Sequence, residues 1–259
     1  MNKYLNKGAE KFIDSLEPGT IPLNRDEDNF FEELNVDIVD YVEGKISPFD
    51  ELKYHEAYSS EEFLNEYLQK TKEKDIPVAV LSVDLVGSTN LGKKLSAEDY
   101  SRTICAFLRG VAQIVRNYNG YVLKYIGDEV IAYFPGKGKS MMHDNALYCS
   151  YAIKKFFKKI LTPLIRKKFS ENLKFRIGLN SGKAMIVIVG HSSARLHYDL
   201  IGDPINITKK IQSLSYANSI LVGESVNTET HNFWKNKIGK INVKNFDWEI
   251  NVYRLKILV

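Results

Sequence analysis

The stretch VAVLSVDLVGSTN, residues 78–90, decides how this chain reads. Residues 78–83 are apolar apart from Ser82 and rich in β-branched side chains. Such a run predicts a central strand buried on both faces. The strand ends on one carboxylate, Asp84. Gly87, Ser88 and Thr89 then form a small turn whose backbone amides lead into a helix. Taken singly, an acid in this position is usually a turn or cap residue. It becomes a metal ligand if a second carboxylate reaches the same place.

Asp128 is the candidate for that second carboxylate. GYVLKYIGDEVIAYF, residues 120–134, consists of two β-rich runs joined at Ile126-Gly127-Asp128, a hairpin signature. If its strands neighbour residues 78–83, Asp84 and Asp128 face each other across one rim. Two close carboxylates repel, and a hard divalent cation relieves them. Mg²⁺ typically takes one or two carboxylates plus substrate phosphates. With Gly87 permitting close approach of the backbone, the constellation suits a triphosphate.

Outward from this centre the pattern alternates strands and helices. Phe30, Phe31, Leu34, Ile38 and Val42 fall at helical spacing, which Gly44 and Pro48 end. Residues 59–62 (SSEE) read as a helix start. Residues 96–99 (SAED) open a second helix that stops at Asn119-Gly120. HDNALYCSYAIKKFFKKIL reads as an amphipathic helix. LKFRIGLNSGKAMIVIVG reads as a second hairpin, turning at Asn180-Ser181-Gly182. A helix is expected over 204–214, with Pro204 in its first turn. SILVGES is a short strand, and the last strands lie near KINVKNF and WEINVYRLKIL. This order predicts an α+β fold, a ferredoxin-like split βαβ sandwich over 76–259. Residues 1–75 are expected to form a helical extension used for docking or dimerisation.

Bulk composition narrows the class. The chain has 259 residues, 44% hydrophobic and 26% charged. No apolar run approaches the roughly 18 residues of a membrane helix, and the N-terminus lacks a signal-like apolar core. Cys105 and Cys149 sit in apolar helical patterns, as core residues in a reducing compartment do, so a cytoplasmic location is expected. The net charge is +4, with acids dense over 26–66 and lysines over 154–174. No aromatic ladder interleaves the lysines, which disfavours nucleic acid and favours a solvated face near the acidic extension.

Four motifs in register carry a family resemblance. VDLVGST, KYIGDEVIAYF, FRIGLNSGKAMIVIVG and YDLIGDPINITKKI resemble the successive motifs of class III nucleotide cyclase catalytic domains, over roughly residues 76–224. The resemblance implies a homodimer with two active sites at its interface. One protomer would give Asp84, Asp128 and the Leu85 carbonyl to two divalent metal ions, Mn²⁺ or Mg²⁺. Gly87, Ser88 and Thr89 would meet the phosphates. The other protomer would give Asn206 and Lys210 from one helix. The implied reaction is attack of the ribose 3′-oxygen on the α-phosphate of a nucleoside triphosphate, expelling pyrophosphate. Lys124 and Asp199 match the base-selecting pair of adenylate cyclases.

This sequence departs from the family pattern at several positions. Lys210 stands where the family usually has a transition-state Arg, and a Lys is a point donor without the bidentate fork. Ser219 stands where many animal members carry a phosphate-binding Lys; Lys209 and Lys183 are candidate substitutes. Ser82 stands where a bulky Phe is common, which implies a wider base pocket. The Pro-to-Asn-to-Lys spacing around Asn206 resembles the pyrimidine cyclases of bacterial anti-phage systems. That resemblance implies a UTP or CTP substrate and a downstream effector that binds the cyclic product. ATP is the alternative substrate. A nucleotide-binding module without turnover is the rival from another class, and it has no need of Asp84 and Asp128.

Overall fold

In a computed structural model, residues 27–45, 59–136, 139–190, 196–241 and 251–256 are described. Two helices come first, α1 (Glu27–Val42) and α2 (Ser60–Thr71). The central strand β1 (Asp75–Leu85) follows, then the short α3 (Ser88–Lys94) and the long α4 (Ala97–Asn117). The expected hairpin is β2 (Tyr121–Ile126) and β3 (Glu129–Pro135). Next come α5 (Lys139–Phe156), a π-helical turn (Phe157–Leu161) and α6 (Thr162–Phe169). The chain continues through β4 (Phe175–Val189), β5 (His197–Ile201), α7 (Asp203–Ser213) and β6 (Ser219–Gly223). It closes with α8 (Glu224–Glu229), α9 (Asn232–Lys235), β7 (Ile238–Ile241) and β8 (Val252–Leu255). Pro48 and much of the two C-terminal segments read as strands lie outside the described residues.

The strands form one mixed sheet in the order β2-β3-β1-β4-β6-β8-β7, with β5 paired to β4. Strand β1 is central and antiparallel to both β3 and β4. It is buried on both faces, as its apolar run predicts. Its alternation sorts side chains between two cores. Ala79, Leu81, Val83 and Leu85 join the large core under α1, α4 and α5. Ile76, Val78 and Val80 join a second core with α2, which includes Ile205 of α7. The same alternation puts Ser82 and Asp84 on the α2 and α7 face.

One expected element is different. The sequence suggests a hairpin turning at Asn180-Ser181-Gly182, but β4 runs unbroken through all three residues. There Asn180, Ser181 and Gly182 pair with Val80, Ala79 and Val78 of β1. The local turn preference of Asn-Ser-Gly yields to this ladder, and to a Ser225 hydroxyl that accepts the Ser181 N–H at 3.1 Å. Gly178 in the same strand has a tertiary purpose. A Cβ there would come within 2.5 Å of the Gln212 backbone nitrogen, so only glycine lets α7 lie this close to the sheet.

The two N-terminal helices are packed parts of this body. Leu34, Ile38, Tyr41 and Val42 of α1 are fully buried in the large core. Helix α2 begins with a capping box between Ser59 and Glu62 and stacks Phe63 on Tyr121 at 4.5 Å between ring centroids. The acidic segment does meet the lysine-rich one. Lys155 lies over the Phe31 ring at 4.3 Å, and the Lys168 ammonium donates to the Val42 carbonyl at 2.6 Å. No described helix is long and apolar enough to cross a membrane.

Candidate active site

Asp84, the penultimate residue of β1, lies directly across from Glu129 of β3 and Arg176 of β4. Its Oδ2 accepts from the Arg176 guanidinium at 2.5 Å and from the Gln212 side-chain amide at 3.2 Å. Burial pushes the Asp84 carboxyl above the usual aspartate value. Arg176 pulls it back, and the charge of Asp128 raises it again. That electrostatic coupling fits the two aspartates sharing one rim, as the hairpin reading expects. Asp128 sits in the β2–β3 turn, where its Oδ2 is buried with no hydrogen-bond partner. A buried carboxylate oxygen without a donor is costly, and a cation would satisfy it.

The donor set fits a hard divalent ion. Among the described residues no three acidic, His or Cys side chains gather into a closed protein cage. Two aspartates, a backbone carbonyl such as that of Leu85 and the phosphates of a substrate are the usual open set for Mg²⁺. Gly87 takes the left-handed conformation at φ 82° and precedes α3, with open space where a Cβ would stand. Ser88 and Thr89 are the first residues of α3 beside it.

The base-selecting candidates meet each other. Lys124 of β2 and Asp199 of β5 form an ion pair at 2.6 Å, although 75 residues separate them. Lys124 also lines a cavity of about 270 Å³ with Ser60, Tyr121 and Tyr198, so α2 closes the space beside it. Asn206 and Lys210 stand one turn apart on the exposed side of α7. Gln212, on the buried side, is the residue of α7 that reaches Asp84. The exposed pair is therefore presented on the side of α7 away from Asp84.

Three residues of this rim escape sequence reasoning: Arg176, Glu129 and Gln212. Glu129 accepts from the buried Ser82 hydroxyl at 2.8 Å and pairs with Lys209 at 3.1 Å. The space left by a serine at position 82 is thus crossed by a hydrogen bond. Arg176 shares its strand with Asn180, Ser181 and Lys183, so no local pattern singles it out. Lys183 is no substitute for the phosphate-binding lysine within its own chain. It pairs with Pro77 at the far end of β1, seven residues along β4 from Arg176, or about 23 Å away. Ser219 is buried and hydrogen-bonds to Ser215 at 2.7 Å.

Comparison with known proteins names the family. Residues 70–256 match the adenylate and guanylate cyclase catalytic domain. The chain belongs to this class III nucleotidyl cyclase family. It is 25% identical over 158 residues to the cytidylate cyclase of Escherichia coli, covering 58% of this chain and 34% of that protein. It is 27% identical over 175 residues to the uridylate cyclase of Burkholderia cepacia, covering 59% of this chain and 75% of that protein. The crystal structure of the adenylyl cyclase CyaB from P. aeruginosa aligns with TM-score 0.63 and 25% identity, over 71% of this chain and 96% of that one. The chain thus spans about a third of the E. coli relative. Class III cyclases use divalent metal ions, consistent with the orphaned oxygen at Asp128.

Proposed function

We propose that this chain converts a pyrimidine nucleoside triphosphate, UTP or CTP, into its 3′,5′-cyclic nucleotide and pyrophosphate. The reaction takes place at two composite sites of a homodimer. The observation that carries the reading is the Asp84–Asp128 rim, with its orphaned carboxylate oxygen and Arg176 beside it. Two divalent ions, Mn²⁺ or Mg²⁺, bound there would lower the pKa of the 3′-hydroxyl and offset phosphate charge.

The chain's own groups do the rest by position and charge. Asp84, Asp128 and the Leu85 carbonyl would hold the cations. The turn at Gly87, Ser88 and Thr89 brings amides to the phosphates. Arg176, beside Asp84, would offer its guanidinium to the triphosphate. Asn206 from the partner protomer orients the ribose, and Lys210 from the same helix meets charge on the α-phosphate. The 3′-oxygen forms the new P–O bond, its proton passes to water, and the bond to pyrophosphate breaks.

The pyrimidine choice is supported by Lys210 and by the cytidylate and uridylate cyclases among relatives that also include adenylate cyclases. A second reading has its own support. The Lys124–Asp199 pair suits an adenine, with Lys donating to the ring N1 and Asp accepting from the exocyclic amine. The product would act in the cytosol as a signal for a cyclic-nucleotide-binding effector, as in anti-phage defence.

The test is to incubate the protein with ATP, GTP, CTP and UTP separately with Mn²⁺ and to identify products by mass spectrometry. Cyclic UMP or CMP, lost in Asp84→Ala, is the expected result. Cyclic AMP as the main product would transfer the reading to adenylate cyclase. No product from any of the four would overturn the catalytic reading.

A further inference from the structure

We propose that α7 couples the two active sites of the dimer, with Glu129 and Gln212 as positioning residues. The inference rests on the composite-site reading above. Its starting point is that α7 has two loyalties. It is tied to its own chain's Asp84–Asp128 rim at two points one turn apart, the half-exposed Lys209 and the buried Gln212. Lys209 pairs with Glu129 at 3.1 Å, and Gln212 donates to Asp84 at 3.2 Å. Its outer side carries Asn206 and Lys210, the groups that serve the partner's site.

The anchoring is stiff. Glu129 follows Asp128 in the chain, lies opposite Asp84 in the sheet, and is fixed by the buried Ser82 hydroxyl at 2.8 Å. Gly178 seats the α7 backbone against β4 without an intervening side chain. An 11-residue helix is only about 16 Å long, so it moves as a unit. A change in what Asp84 and Glu129 hold at one rim therefore repositions Asn206 and Lys210 in the other site.

Mixed dimers isolate the effect. Pairing an Asp84→Ala protomer with an Asn206→Ala protomer leaves one live site. That site takes its aspartates from the second protomer and its α7 groups from the first. In the first protomer Asp84 no longer holds Gln212, which leaves α7 the Lys209–Glu129 pair at the rim and a Thr208 hydroxyl that donates to the Val80 carbonyl at 3.5 Å. Adding Glu129→Gln to this protomer should lower kcat about tenfold and leave KM for nucleotide and Mn²⁺ unchanged. Lys209→Gln in the same protomer should reproduce the loss. A turnover equal to that of the parent mixed dimer would overturn the coupling. An inactive parent mixed dimer, with active wild type, would instead remove the composite-site reading and the inference with it. A second readout needs no turnover. 3′-Deoxy-UTP, which lacks the attacking hydroxyl, titrated with Mn²⁺ into the wild-type dimer should give two unequal binding steps that Glu129→Gln merges into one. Two equal steps in the wild type would also overturn the proposal.

Discussion

Arg176 donates to Asp84 at 2.5 Å across adjacent strands, so the carboxylate proposed to bind metal is already held by a cation of its own chain. The pair is partly exposed, with Arg176 about one-third and Asp84 about one-sixth accessible. Arg176→Met removes the partner and leaves a half-buried charge. The expected cost is about 1–2 kcal/mol in metal-free protein, read from urea unfolding. Mn²⁺ should restore most of that stability. The same variant should raise KM for the triphosphate by about tenfold or more if Arg176 moves to the phosphates. An unchanged KM would confine Arg176 to the resting site.

The Lys124–Asp199 pair predicts where base selectivity resides. Lys124→Met should reduce kcat/KM for the preferred nucleotide by about 10–100-fold, the range for losing one well-placed polar contact. Metal binding, which depends on Asp84 and Asp128, should be untouched. The four-nucleotide assay, repeated on this variant, checks both statements. Equal losses for all four nucleotides would show that Lys124 positions the site without reading the base.

What the sequence disclosed follows the range of the forces involved. The strand carrying Asp84 was legible because a continuous apolar run leads to it, and the hairpin carrying Asp128 because its two β-rich runs are local. The helix carrying Asn206 and Lys210 was legible from its proline and apolar spacing. Arg176, Glu129 and Gln212 were not, because their contacts depend on the register of β1 against β3 and β4 and on the docking of α7. Those contacts join residues 47 to 128 positions apart. The expected turn at Asn180-Ser181-Gly182 failed for the same reason, since pairing with β1 outweighs a local preference. The periodicity of α1 announced a helix, but nothing local told that its apolar side completes the large core.

Gly178→Ala tests the seat of α7 directly. The new methyl group would face the backbone of Gln212 and Thr208, at 2.5 and 2.6 Å, and backbone cannot rotate away as a side chain can. Overpacking of this kind costs about 1–3 kcal/mol. Thermal melts should show that loss. Turnover should fall by more than tenfold at a temperature where the variant is still folded, because α7 carries Asn206 and Lys210 out of place. A destabilised variant with normal turnover would mean that the helix position is not critical to the chemistry.

The pH dependence of the metal-free protein follows from Asp84. Burial raises its carboxyl above the ordinary aspartate value, and Arg176 only partly offsets this. An acid whose folded pKa exceeds its unfolded one binds protons better in the folded state. Its contribution to stability is complete below the unfolded value, about pH 4, and is lost as pH rises through the folded value. Asp84→Asn cannot ionise and escapes that loss. The variant should therefore gain stability relative to wild type as pH rises from about 4, with the difference levelling off once Asp84 is fully charged. Mn²⁺ should close the gap by stabilising only the wild type, since the charged carboxylate is the form that binds it. Melting both proteins from pH 4 to 7.5 with a chelator, and again with Mn²⁺, checks each step; a pH-independent difference between them would remove Asp84 ionisation as its cause.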